Sequence, residues 1–225
     1  MKTRKYLIVY AKFLYTSLAS ELEYKTNILI DLITAILSLI GSIFLLSIFF
    51  QNNMSIGDWK FEEALIIQGI YTILNGITNT WFNPNLSEIV KHIREGTLDF
   101  VLLKPIDSQF FISLKKINTS CFLEIMLGFC LLLFCIKINQ INLNLSFLSL
   151  SLITITCSIC ILYSLWFFIS TTTIWFVKTW NATEVLRSFL YIGRFPLNSF
   201  SFTLRIFLVF SFLLHLLQLS HLKFS

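Results

Sequence analysis

This 225-residue chain gives covalent chemistry few residues to work with. Its three histidines, His92, His215 and His221, are widely separated. No GxxxxGK[ST] loop is present to cradle nucleotide phosphates, and neither GxSxG nor HExxH occurs. The five cysteines, Cys121, Cys130, Cys135, Cys157 and Cys160, all stand in apolar stretches. Cys157-Ser-Ile-Cys160 has CxxC spacing, but no second pair or histidine lies near it. These thiols read as small apolar packing residues, and no metal site is expected. No residue is a candidate for catalysis. What remains is ionic: Glu88, Lys91, His92, Arg94 and Glu95 cluster in one polar island, while Asp31 and Glu124 stand inside apolar runs. Clustered charge of this kind grips another surface.

The island runs from Asn83 to Pro105, between two apolar blocks. Asn83 can cap a helix there, and Pro84 suits the first turn, where its missing N–H goes unneeded. Leu86, Ile89, Val90 and Ile93 fall at helical spacing as one apolar stripe, with the five charged residues on the other side. Gly96 follows the last periodic residue, where a left-handed cap is wanted. The spacing predicts a short one-sided helix beside a membrane, its charge facing out as a handle for a soluble partner.

The rest of the chain must hold that handle. Apolar residues make up 56%, Phe alone contributes 24, and charged residues are 13%. Such a chain is one compact unit whose solvent is largely lipid. The expected class is all-α, a polytopic membrane protein with about five spans, forming a single domain over 1–225.

Residues 1–26 do not read as a signal peptide, since Lys12 and Glu21 break their apolar stretches. Lys2, Arg4, Lys5, Lys12 and Lys25 with Tyr6, Tyr10, Phe13 and Tyr15 predict a basic, aromatic helix lying at the interface. A span needs about 20 apolar residues. The first is 27–50, the second 62–82, with Gly69 and Gly76 on one face where another helix can come close. The third is 110–136, beginning near Lys115 and Lys116, and 145–169 is the fourth. Trp166, Trp175 and Trp180 are expected to mark interfacial depth. Residues 178–200 read as an amphipathic inner-surface segment, and 203–219 as a marginal fifth span. Asp31 and Glu124 are either polar groups lining a path or carboxylates facing a helix neighbour or water.

Orientation follows from Lys and Arg. They crowd the N-terminus, 91–116 and 178–205, whereas 51–61 and 137–144 carry one each. The N-terminus and the island are therefore expected inside. Basic residues confined to membrane borders speak against a nucleic-acid partner.

Several strings carry a resemblance. Ile93-Arg94-Glu95-Gly96-Thr97-Leu98-Asp99 followed by Leu102-Leu103-Lys104-Pro105 resembles the IRxGxLDxxLLKP signature of bacterial type-2, mostly exporting, ABC-transporter permeases. Gly57-Asp-Trp59, the stretch from Leu65 to Gly76, and Gly193-Arg194-Phe195-Pro196 are similar to further motifs of that family, in the same order. The resemblance implies a permease subunit in the bacterial cytoplasmic (inner) membrane. It implies residues 1–26 as an elbow helix, 83–105 as a cytosolic coupling segment, a second permease chain, and a separate ATPase subunit that holds the ATP and magnesium. This chain would need no cofactor of its own. Glu88, Lys91, His92, Arg94 and Glu95 would dock on the ATPase, Gly96 would turn the backbone, and Leu98 with Asp99 would lock the return. Lys104 and Pro105 would mark re-entry to the membrane, and Gly193, Arg194 and Pro196 would be structural.

The chain departs from the family at its end, where six spans would be expected in all. Residues Ser211 to His221 can be encoded so that the adjacent reading frame spells the family-like IPIAFITTVP. The sequence thus predicts a reading frame shifted near Ser211 and a missing last span. Two alternatives to a working permease follow: a truncated, non-functional remnant, or a secondary transporter or channel without an ATPase. The latter would want paired intramembrane charges or broken helices in matching halves, which the sequence does not show.

Overall fold

In hydrocarbon a single segment can satisfy its backbone polar groups only by coiling into a helix. The structure, a computed structural model, follows that rule. It is described over residues 2–23, 25–50, 60–139 and 145–174, together with 187 and 191, and no strand occurs among them. Among the described residues, two helices are long and apolar enough to cross a membrane: α2 (Lys25–Phe50) and the stretch 149–171 of α8 (Leu145–Thr172). On α2 only Ser42 and Leu46 are buried, while Leu29, Ile33, Leu37, Ile40 and Phe44 face outward. Those side chains have lipid as their natural solvent.

The tightest helix pair is α3 (Phe61–Ile77) against α7 (Phe122–Ile138). Small residues at their contact let the two backbones come close. The expected face of Gly69 and Gly76 permits that approach, joined by Gly128 of α7. A Cβ at Gly76 would stand 2.9 Å from the backbone nitrogen of Ile125, and one at Gly69 2.8 Å from Leu132 Cδ2. One buried polar link joins α2 to α3, where Gln68 Nε2 donates to Ser42 Oγ at 2.9 Å.

Helix α3 does not stop before the polar island. It passes through a π-helical turn, Thr78–Phe82, directly into α4 (Asn83–Arg94). The capping role expected for Asn83 is not realised: its φ of −57° and ψ of −52° are helical. Pro84 survives inside this continuous rod for an identifiable reason. Its missing N–H leaves the Thr80 carbonyl free, and the Asn118 N–H donates to that carbonyl at 3.0 Å. The island helix is therefore a stiff extension of the second apolar helix.

Two short helices follow, α5 (Leu98–Leu102) and α6 (Ser108–Leu114), the latter capped by Asp107, whose Oδ1 accepts from the Phe110 N–H at 2.8 Å. The third apolar stretch, expected over 110–136, is not one helix. Residues 110–114 belong to α6, 115–121 are non-helical, and α7 begins only at Phe122. A second expectation also changes. Trp166 does not face the interface; it is 1% exposed, packed with Leu162 of α8 against Leu86 and Ile89 of α4. Its large ring fills the seam between α8 and the island helix.

The N-terminal helix α1 (Lys2–Glu23) shows three faces. Tyr6, Tyr10, Phe13, Ser17 and Glu21 turn inward: Phe13 meets Phe111 edge-on, and Tyr10 Oη accepts from Trp81 Nε1 at 3.3 Å. Leu7, Tyr15, Leu18 and Leu22 form an exposed apolar stripe at helical spacing. Lys5 and Lys12 edge a polar third face. Residues 175–186, 188–190 and 192–225, which hold Trp175, Trp180, Gly193, Arg194, Pro196, the 178–200 segment apart from 187 and 191, the 203–219 span and the 211–221 string, lie outside the described residues. So does Gly57-Asp-Trp59.

Candidate docking site

The apolar stripe of α4 is buried as its spacing predicts: Leu86 is 0%, Ile89 3% and Val90 7% exposed. The helix ends in a Schellman motif. Gly96 takes φ +66°, its N–H donates to Ile93 O at 3.3 Å, and the Thr97 N–H donates to His92 O at 2.9 Å. This turn stops α4 and leaves its last turn, with Lys91, Arg94, Glu95 and Gly96, exposed at the tip of the rod. Lys91 and Glu95 form an exposed pair at 3.9 Å, four residues apart.

Glu88 and His92 are not part of that outer edge. Glu88, with its side chain 17% exposed, turns toward the non-helical stretch, where Lys116 Nζ lies 2.9 Å and Lys115 Nζ 3.5 Å from Oε1. Burial alone would push its carboxyl up. The hydrogen bond from Lys116, with the charges of Lys115, Lys116 and His92, outweighs this and holds it below its ordinary value. His92 Nδ1 lies 2.8 Å from Thr97 Oγ1, and its Nε2 3.9 Å from Glu88. These two residues brace α4 from inside.

Beyond Gly96, Leu98 is half-buried and Asp99 exposed, with Phe100, Leu102 and Leu103 projecting beside it. Lys104 Nζ sits 3.9 Å from the Phe111 ring centroid, and the Pro105 carbonyl accepts from Lys5 Nζ of α1 at 3.1 Å. Lys104 and Pro105 thus tie the end of the segment to α6 and α1.

The two carboxylates of the apolar runs have different surroundings. Glu124 Oε2 accepts from the side-chain amides of Asn75 at 2.9 Å and Asn79 at 3.2 Å, so it faces a helix neighbour. Asp31 lines a cavity of about 260 Å³ with Glu21, Asn118 and Ser120, and its Oδ2 lies 2.5 Å from Ser120 Oγ. Among the described residues no three His, Cys, Asp or Glu side chains gather as a metal site.

Sequence reading missed Asn85, Glu21 and Ser17, which hold the 115–121 stretch. Asn85 is 1% exposed on the buried side of α4. A polar residue one turn before Ile89, on the apolar stripe, was the available signal.

A rod of apolar helix runs on into a one-sided polar helix with an exposed charged tip, and α1 packs against its base. Residues 36–216 match the family model described as ABC-2 family transporter protein, and the chain belongs to that family, the membrane component of ABC transporters. No curated protein and no solved structure matches it.

Proposed function

We propose that this chain is the permease subunit of an ATP-driven exporter in the bacterial cytoplasmic (inner) membrane. It crosses that membrane several times with its N-terminus inside. Two permease chains pair, and each receives a separate ATPase subunit that holds the ATP and magnesium. Helices α2, α3 with its π turn, α7 and α8 are spans. Helix α1 lies in the inner interface with its apolar stripe in lipid.

One observation carries this reading: the exposed tip of α4, set by the Gly96 turn on a helix continuous with an apolar span. A groove on a soluble subunit can seat such a tip, and closure of that subunit would tilt the rod. Lys91, Arg94, Glu95 and Asp99 supply the polar contacts of the docking edge, with Leu98 and Gly96 shaping it. Glu88 and His92 keep it stiff.

The test is purification in mild detergent from cells of the source organism, in which an ABC ATPase subunit is sought among the co-purifying proteins. The ATPase is expected to co-purify, and the double reversal Lys91→Glu with Arg94→Glu to release it while membrane insertion is unchanged. Retention of the ATPase by the double variant would contradict this docking edge, and its absence from the unaltered chain would contradict the permease assignment.

A further inference from the structure

The non-helical stretch before α7 leaves consecutive backbone N–H groups without intrahelical acceptors, and other elements take each of them. Lys116 N–H donates to Asn85 Oδ1 at 2.9 Å, and Ile117 N–H to Ser17 Oγ at 3.2 Å. Asn118 N–H donates to Thr80 O at 3.0 Å. Thr119 and Ser120 N–H donate to the two oxygens of Glu21 at 2.7 and 3.1 Å, and the Thr119 hydroxyl also donates to Glu21. Asn85 closes the ring from the other side: its Nδ2 donates to Lys116 O at 2.6 Å and to Trp81 O at 2.7 Å. One buried amide thus satisfies both backbone groups of Lys116.

We propose that Asn85 and Glu21 are positioning residues that fasten the docking helix α4 and the interfacial helix α1 to the N-terminal end of α7. A push on α4 then carries α7 and α1 with it. This rests on the reading of the chain as a permease driven by a docked ATPase. The geometry allows little slack. N–H···O bonds span about 2.7–3.2 Å, and the short Asn85 side chain has little reach with which to follow a shift. A helix shift of only about 1–2 Å between α4 and the 116–120 stretch would leave the amide of Asn85, which is 1% exposed, without its partners. Joint movement avoids that cost. The Thr80–Asn118 bond ties the π turn into the same unit.

The test uses the full chain with its ATPase in nanodiscs, with the five native cysteines replaced by alanine. Met126, exposed on α7 and far from the docking edge in sequence, becomes Met126→Cys and carries an environment-sensitive fluorophore. Trapping the ATPase with ATP and vanadate is expected to change its signal. In Asn85→Ala or Glu21→Gln the ATPase should still co-purify, while the response falls by roughly fivefold or more, the size of a typical coupling. A response that persists at full size in both variants overturns the proposal, and so does its absence in the unmutated, ATPase-bound chain. Because the variants can also harm folding, a second measurement leaves the clamp intact. Spin labels at Ser87→Cys on α4 and Met126→Cys should keep their separation within about 2 Å on trapping. A larger change overturns the proposal without the variants. Failure of the ATPase to bind the unmutated chain is a different result and contradicts the permease reading itself.

Discussion

On α7, Gly128 lies so close to Ile73 of α3 that a Cβ at Gly128 would stand 2.9 Å from the Ile73 backbone nitrogen and 2.7 Å from its Cγ1. Backbone cannot give way as a side-chain tip can. Gly128→Val and Gly76→Val are therefore expected to cost about 1–3 kcal/mol each by overpacking. At roughly 2–4 °C per kcal/mol, the thermal midpoint should fall by several degrees. Gly41 is the control: among the described residues a Cβ there meets nothing within 4 Å, and alanine is the better helix former. Fluorescence-detected size exclusion after heating should show Gly41→Ala unchanged or slightly raised. Equal behaviour of all three variants would contradict the packing account.

Trp166 joins α8 to α4, and truncation should loosen α4. Trp166→Ala removes a ring that is 1% exposed, at a cost of about 3–5 kcal/mol. Its Nε1 has no hydrogen-bond partner among the described residues, so Trp166→Phe loses packing volume but no bond. Trypsin cleavage after Lys91 should quicken strongly in the alanine variant and only slightly in the phenylalanine one. Equal cleavage of both would show that the indole packing is not what seats α4.

Much of this was legible from periodic pattern. The Leu86, Ile89, Val90 and Ile93 stripe, the Gly96 cap and the Gly69–Gly76 face obey local rules, and the fold follows them. Long-range pairings left no such trace. Asn83 looked like a cap because Asn before Pro usually is one, yet the Asn118 N–H covers the carbonyl that Pro84 leaves free, and the helix runs on. Glu88 looked outward from spacing alone, because Lys115 and Lys116, which draw it inward, lie 27 and 28 positions further along. Trp166 looked interfacial because α8 was read without its neighbour α4. The start of α7 was misplaced because 115–121 is held by side chains of α1 and α4, not by its own propensity.

Glu88 makes part of the stability of α4 depend on pH. Its folded value is depressed, so the pairing with Lys116 and Lys115 contributes fully above its ordinary value of 4.5 and is lost as pH falls through the folded value. Glu88→Gln should lower the thermal midpoint near neutrality, and the gap from the unaltered chain should close on acidification below pH 4.5. A gap that stays constant with pH would assign the effect to something other than this ion pair.

Gly96 is set by conformation rather than by space. At φ +66° a Cβ added there would meet nothing within 4 Å among the described residues, so Gly96→Ala incurs only the left-handed penalty, about 1–2 kcal/mol. Asparagine tolerates this region better, and Gly96→Asn should fall between the two. Thermal midpoints in the order glycine, asparagine, alanine would agree; an alanine variant equal to the parent would mean that the turn relaxes without loss.

The central claim is that the tip of α4 faces the cytosol, where an ATPase can hold it. Lys91→Cys, 69% exposed at its parent side chain, can be labelled in a chain freed of its native cysteines with a membrane-impermeant maleimide. Labelling is expected in inverted membrane vesicles and not in intact spheroplasts. Labelling of Lys91→Cys from outside intact spheroplasts would place the handle on the wrong face and contradict the account.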